Sequence, residues 1–75
     1  MSNKTREQLR KYLYADQDGI CELCGERMLA AHEVKNNDDY QNMATIDHIL
    51  RKRHGGDDHL LNVRAVHFKC NVARN

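Results

Sequence analysis

Two short pairs of soft metal ligands, Cys21-x-x-Cys24 and His67-x-x-Cys70, lie far apart in a chain of 75 residues. Two pairs joined by a long spacer are what a tetrahedral zinc site requires: each turn offers two ligands, and the spacer closes the cage. The three cysteines, Cys21, Cys24 and Cys70, cannot pair off among themselves, so they read as metal ligands or buried thiols rather than disulfide partners. His32, His54 and His59 have no close Cys or His partner at ligand spacing and read as solvated or locally bonded.

A zinc staple also answers a shortage of core. A domain of this size hides only about 60% of the surface its unfolded chain exposes. Hydrophobic residues make up 40% of the chain, one Phe and three Tyr supply all the aromatic bulk, and Trp is absent. Apolar burial alone is therefore a weak reason for folding. Structural zinc contributes on the order of 10–16 kcal/mol in small finger peptides, which is ample to offset such a deficit.

The elements follow from periodicity and breakers. Thr5 and Gln8 stand at capping-box spacing, and Leu9, Tyr12 and Leu13 share one face, which predicts a helix over about 4–16 stopped by Asp18-Gly19. "ICELCG", residues 20–25, predicts a tight turn in which Gly25 takes positive φ. Residues 28–34 are ambiguous, and "NNDDYQN" (36–42) predicts an exposed polar loop. "ATIDHIL" (44–50) and "LLNVRAV" (60–66), separated by "RKRHGGDD", read as an antiparallel ribbon, with a short helix from His67 onward. One domain over 1–75 is expected, with the zinc knuckle drawn from 20–25 and 67–70.

The formal net charge is only +1, so distribution matters more than the total. "RKRH" (51–54), Lys69 and Arg74 are basic, whereas Asp38, Asp39, Asp57 and Asp58 stand apart from them. No run approaches the roughly 20 apolar residues of a membrane span, and "MSNKTREQLR" lacks the apolar centre of a signal peptide. An intracellular protein without a membrane role is expected.

Taken in order, "CELCG", "ATIDHI", "GGDDHLLN" and "HFKCN" resemble the HNH endonucleases, the ββα-metal or His-Me finger class, over about residues 20–74. The resemblance implies an α+β fold: a ββα-metal motif over about 44–74, preceded by the N-terminal helix and pinned by the structural zinc knuckle. It implies a nuclease that hydrolyses DNA phosphodiesters to 5′-phosphate and 3′-hydroxyl ends. By position, His48 resembles the general base, Asn62 the residue that holds it, and Asn71 the third motif residue, an HNN variant. Asp47 and Asn71 resemble the ligands of a catalytic divalent cation such as Mg²⁺, Mn²⁺ or Ni²⁺, for which oxygen donors are suited.

Asp47 and His48 are neighbours, and neighbours on a regular strand point to opposite faces, so the strand is expected to end or bulge there. The relatives' proline after the Asp-His-Ile segment is missing, and His67 stands where a cysteine is commoner. Arg51, Lys52 and Arg53, followed by two glycines, are expected to lie along a DNA backbone on a flexible loop, with little sequence preference. The competing reading is a non-catalytic, zinc-stapled nucleic-acid-binding or accessory module of a larger phage or mobile-element machine.

Overall fold

Leu9 and Leu13 recur one turn apart on α1 (Asn3–Asp16), and that face packs on a two-stranded ribbon. The computed structural model describes residues 3–74; residues 1, 2 and 75 of the expected domain lie outside it. The helix begins at Asn3, so Thr5 lies within it and is not its cap. Tyr12, expected on the apolar face, is 54% exposed; Tyr14 packs on the core instead, and its hydroxyl donates to the Met28 carbonyl (3.2 Å). Asp18 (φ 53°) and Gly19 (φ 72°) turn left-handed, and the Gly19 N–H donates back to Tyr14 O (2.8 Å), which ends the helix as expected.

The ribbon pairs β1 (Ala44–His48) with β2 (Val63–His67) antiparallel, from Ala44 opposite His67 to His48 opposite Val63. The ladder runs without a bulge and ends at His48. Gln17 ties α1 to the outer edge of β2. Its side-chain amide donates to Ala65 O (2.9 Å) and accepts from Ala65 N (2.8 Å), pairing both backbone groups of one edge residue.

Two further expectations are corrected. Residues 36–42 are not a plain loop: Asn36 accepts a hydrogen bond from Asp39 N (2.9 Å) and caps a helical turn, α2 (Asn37–Tyr40). The second strand starts at Val63, not residue 60, because His59 Nδ1 accepts from Leu61 N (3.1 Å) and Asn62 N donates to His59 O (2.7 Å), curling Leu60–Asn62 into a 3₁₀ turn. The ambiguous 28–34 segment pairs Leu29 with Met43 and then turns at Ala31–Glu33.

The closing helix, α3 (Phe68–Arg74), follows β2 directly. The fold is thus α+β with the ββα-metal order of strand, strand, helix, preceded by α1. Its core is Leu13, Cys21, Met28, Ala44, Val63, Ala65 and Val66, two of them alanines and one a ligand-pair cysteine. Among the described residues, Asp47 and His67 are the buried polar ones.

Candidate metal cluster and catalytic cleft

Gly25 (φ 79°) folds the chain back after Cys24, and its N–H donates to Cys21 O (2.8 Å), so both thiols face the same point. The end of β2 brings His67 there, and the first turn of α3 brings Cys70. One ligand atom from each of Cys21, Cys24, His67 and Cys70 falls within 4.8 Å of the others. His67 Nδ1 is 3.3 Å from Cys24 Sγ and 3.7 Å from Cys70 Sγ. A tetrahedron with Zn–S of about 2.3 Å and Zn–N of about 2.05 Å needs nitrogen-to-sulfur edges of about 3.5 Å. The four residues form a candidate site that fits zinc.

The surroundings prepare these ligands. His67 Nε2 lies 2.9 Å from Arg27 O and can only donate to a carbonyl, so the neutral ring keeps its Nδ1 lone pair for the cluster. The His67 N–H donates to Cys21 Sγ (3.3 Å). Burial pushes the Cys21 thiol up, but the backbone N–H groups of His67, Cys24 and Leu23 outweigh it and bring the thiol down to about 6. Burial and the neighbouring Cys24 and Cys21 sulfurs push Cys70 up to about 11. Gathering several sulfurs this closely is an arrangement that a dication relieves.

The second cluster is an open cleft of about 380 Å³ bordered by Asp47, His48, Asn71 and the basic loop Arg51, Lys52 and Arg53. His48, at the exit of β1, bonds through Nε2 to Asp58 Oδ1 (2.7 Å). Asp58 also accepts from Lys52 Nζ (3.3 Å). The His48 hydrogen bond, helped by Lys52 and opposed by partial desolvation, holds the Asp58 carboxyl below the usual carboxylate value.

Asn62, expected to hold His48, directs its side-chain hydrogen bonds to the backbone of the loop that follows His48 and not to the imidazole. Its Oδ1 accepts from Leu50 N (2.8 Å), and its Nδ2 donates to Leu50 O (3.0 Å) and Asp57 O (2.7 Å). It therefore binds the two ends of the loop that carries Asp58 to His48.

Register accounts for Asp47. It stands opposite Arg64, borders the cleft beside His48, and is only 3% exposed. Arg64 Nε donates to Oδ2 (2.9 Å) and Arg74 Nη1 to Oδ1 (2.7 Å). Arg74 also donates to His48 O (3.1 Å) and Ile49 O (2.8 Å), so the last residue of α3 clamps the exit of β1. Asn71, next to Cys70, donates to Ile46 O (3.3 Å) and Thr45 Oγ1 (3.4 Å).

The basic loop is shaped by its glycines, not loosened by them. Gly55 takes φ 91°, and a Cβ on Gly56 would overlap the Leu50 carbonyl. Arg51 donates to Arg74 O (2.8 Å), Lys52 pairs with Asp58, and Arg53 is exposed.

Asp58, Arg64 and Arg74 are the site residues that sequence reasoning missed. The register of the ribbon gives Arg64 as the cross-strand partner of Asp47; nothing local in the sequence marks Asp58 or Arg74.

The family model for HNH endonuclease matches residues 21–75, from the first cysteine through both cleft and cluster. The chain belongs to the HNH endonuclease family. No curated protein and no solved structure matches it. Among the described residues of this HNH protein, no helix is long and apolar enough to cross a membrane. The HNH match leaves α1 outside its bounds. In chemical terms, the HNH cleft offers an imidazole with one nitrogen fixed by a carboxylate, oxygen donors at Asp47 and Asn71, and a cationic rim suited to an anionic ester.

Proposed function

We propose that the protein is a metal-dependent endonuclease that hydrolyses DNA phosphodiester bonds, held in shape by zinc at Cys21, Cys24, His67 and Cys70. The observation that carries the reading is the His48 ring at the cleft, fixed through Nε2 by Asp58 at 2.7 Å. That contact leaves Nδ1 for proton transfer. His48 takes a proton from water, the resulting hydroxide attacks phosphorus, and the P–O3′ bond breaks; the departing O3′ takes a proton from a second water, which leaves 5′-phosphate and 3′-hydroxyl ends. Asp47 and Asn71 supply hard oxygen donors to a divalent cation, Mg²⁺, Mn²⁺ or Ni²⁺. That cation supplies positive charge for the crowded phosphate and the departing oxygen. Each Asp47 oxygen holds one guanidinium and keeps a second lone pair. Arg51, Lys52 and Arg53 bear on the DNA backbone.

The two arginines on Asp47 favour a second reading: a non-catalytic, zinc-stapled nucleic-acid-binding module of a larger machine. Supercoiled plasmid incubated with zinc-loaded protein and each of the three cations separates them. The endonuclease reading expects nicked or linear DNA that ligase reseals. No product with any cation supports the module instead.

A further inference from the structure

The cleft at His48 does not stop where the HNH match does. A second cavity, of about 410 Å³, shares Ile46, His48, Lys52 and Asn71 with it and extends onto α1 and α2. The volume is within the roughly 300–1,000 Å³ of small-ligand clefts. Arg6 and Arg10, one turn apart on α1, line it from outside the family match. Among the described residues neither is ion-paired; the nearest acid on the helix, Glu7, is paired with Lys11 (3.4 Å).

The same cavity also has an aromatic lining. Tyr40, 44% exposed, and Phe68 meet with ring centroids 4.8 Å apart and planes tilted by 58°. The platform is fixed by backbone bonds from Phe68 N to Met43 O (2.9 Å) and from Lys69 N to Gln41 O (3.0 Å). Guanidinium groups and an aromatic platform lining one cavity suit a ligand with a phosphate at one end and a flat apolar face at the other. In duplex DNA the base faces are stacked away; they become available only on unpaired nucleotides.

We infer that Arg6, Arg10 and the Tyr40–Phe68 pair form a subsite for an unpaired nucleotide beside the scissile phosphate. The preferred substrate is then DNA that is single-stranded or frayed at the cut. The position of the scissile phosphate rests on the endonuclease reading above.

Fluorescence anisotropy with a labelled single-stranded oligodeoxynucleotide and its blunt duplex tests the inference, using the zinc-loaded full chain without catalytic cation. Tyr40→Ala should weaken single-strand binding about fivefold or more, the scale of losing one base–aromatic stack, and duplex binding less than about twofold. Tyr40→Phe should bind as wild type. The Arg6→Gln/Arg10→Gln double variant should reduce the salt slope on the single strand by about 0.7 per lost phosphate contact. Equal losses on both DNAs, no loss with Tyr40→Ala, or an unchanged slope overturns the subsite. A wild-type protein that cuts plasmid but fails these tests keeps the endonuclease reading and loses the subsite. One that passes them and cuts nothing keeps the subsite and loses the endonuclease reading.

Discussion

Replacing Asn62 with alanine removes three side-chain hydrogen bonds and leaves the His48 ring, the metal cluster and the cleft's cations in place. The bonds run from Leu50 N (2.8 Å) and to Leu50 O (3.0 Å) and Asp57 O (2.7 Å). A net hydrogen bond contributes about 0.5–1.5 kcal/mol. These three are accessible to water, so the low end applies, and together they come to about 1.5 kcal/mol. That is about tenfold in the opening equilibrium of the loop that brings Asp58 to His48. The Ile49 N–H to Asn62 O bond (2.8 Å) is backbone and survives. Amide exchange at Leu50 should quicken about tenfold while zinc content stays the same. Cleavage should fall up to about tenfold, well short of the roughly 10²–10⁴ expected for losing the base itself. Asn62→Asp keeps the acceptor for Leu50 N but sets a carboxylate oxygen against the Leu50 and Asp57 carbonyls, so its exchange and cleavage should be affected at least as much as in Asn62→Ala. Lost cleavage with unchanged exchange at Leu50 would refute this reasoning and place Asn62 at the reacting atoms.

Metal analysis should find about one zinc per chain, and Cys70→Ser should abolish it and unfold most of the domain, because the expected zinc contribution of about 10–16 kcal/mol matches or exceeds the net stability of a typical domain. An unchanged melting temperature would sink the ligand assignment. Arg51→Ala with Arg53→Ala should lower the salt slope of duplex binding by about 0.9 per lost phosphate contact, more of it from Arg53 because Arg51 is tied to Arg74 O. An unchanged slope puts the DNA elsewhere. Asp58 titrates below its ordinary value when folded, so its contribution to stability is present above that value and is lost as pH falls through the lowered one. Melting temperatures of wild type and Asp58→Asn should therefore separate above about pH 4 and converge at more acid pH; a constant offset refutes the pairing.

The ligand pairs were legible because each is a local spacing, and a turn or the start of a helix converts that spacing directly into geometry. The ribbon and α3 were legible for similar reasons: β-branched runs bounded by breakers, then a stretch without any. Asp58 was not legible, because it reaches His48 only through a turn set by Gly55 at positive φ and by Gly56 against the Leu50 carbonyl. The same glycines in the sequence suggest flexibility. Arg74 escaped because a contact with Asp47 27 residues away depends on how α3 lies across the ribbon. The exchange of Tyr12 for Tyr14 in the core reflects what a helix packs against, which periodicity alone does not contain. Asn62 shows the remaining difference: its position in the motif was readable, while its partners were fixed by the 3₁₀ turn ahead of β2.

The most direct test of the central claim compares plasmid cleavage by wild type, His48→Ala and Asn71→Ala across a titration of the catalytic cation. His48→Ala should keep zinc, helix signal and DNA affinity, since phosphate contacts dominate affinity, yet cut about 10²–10⁴ more slowly at every cation concentration. Asn71→Ala should recover part of its rate as the cation is raised. Wild-type cleavage by His48→Ala, in a preparation free of contaminating nuclease, would contradict the mechanism whatever the zinc content proves to be.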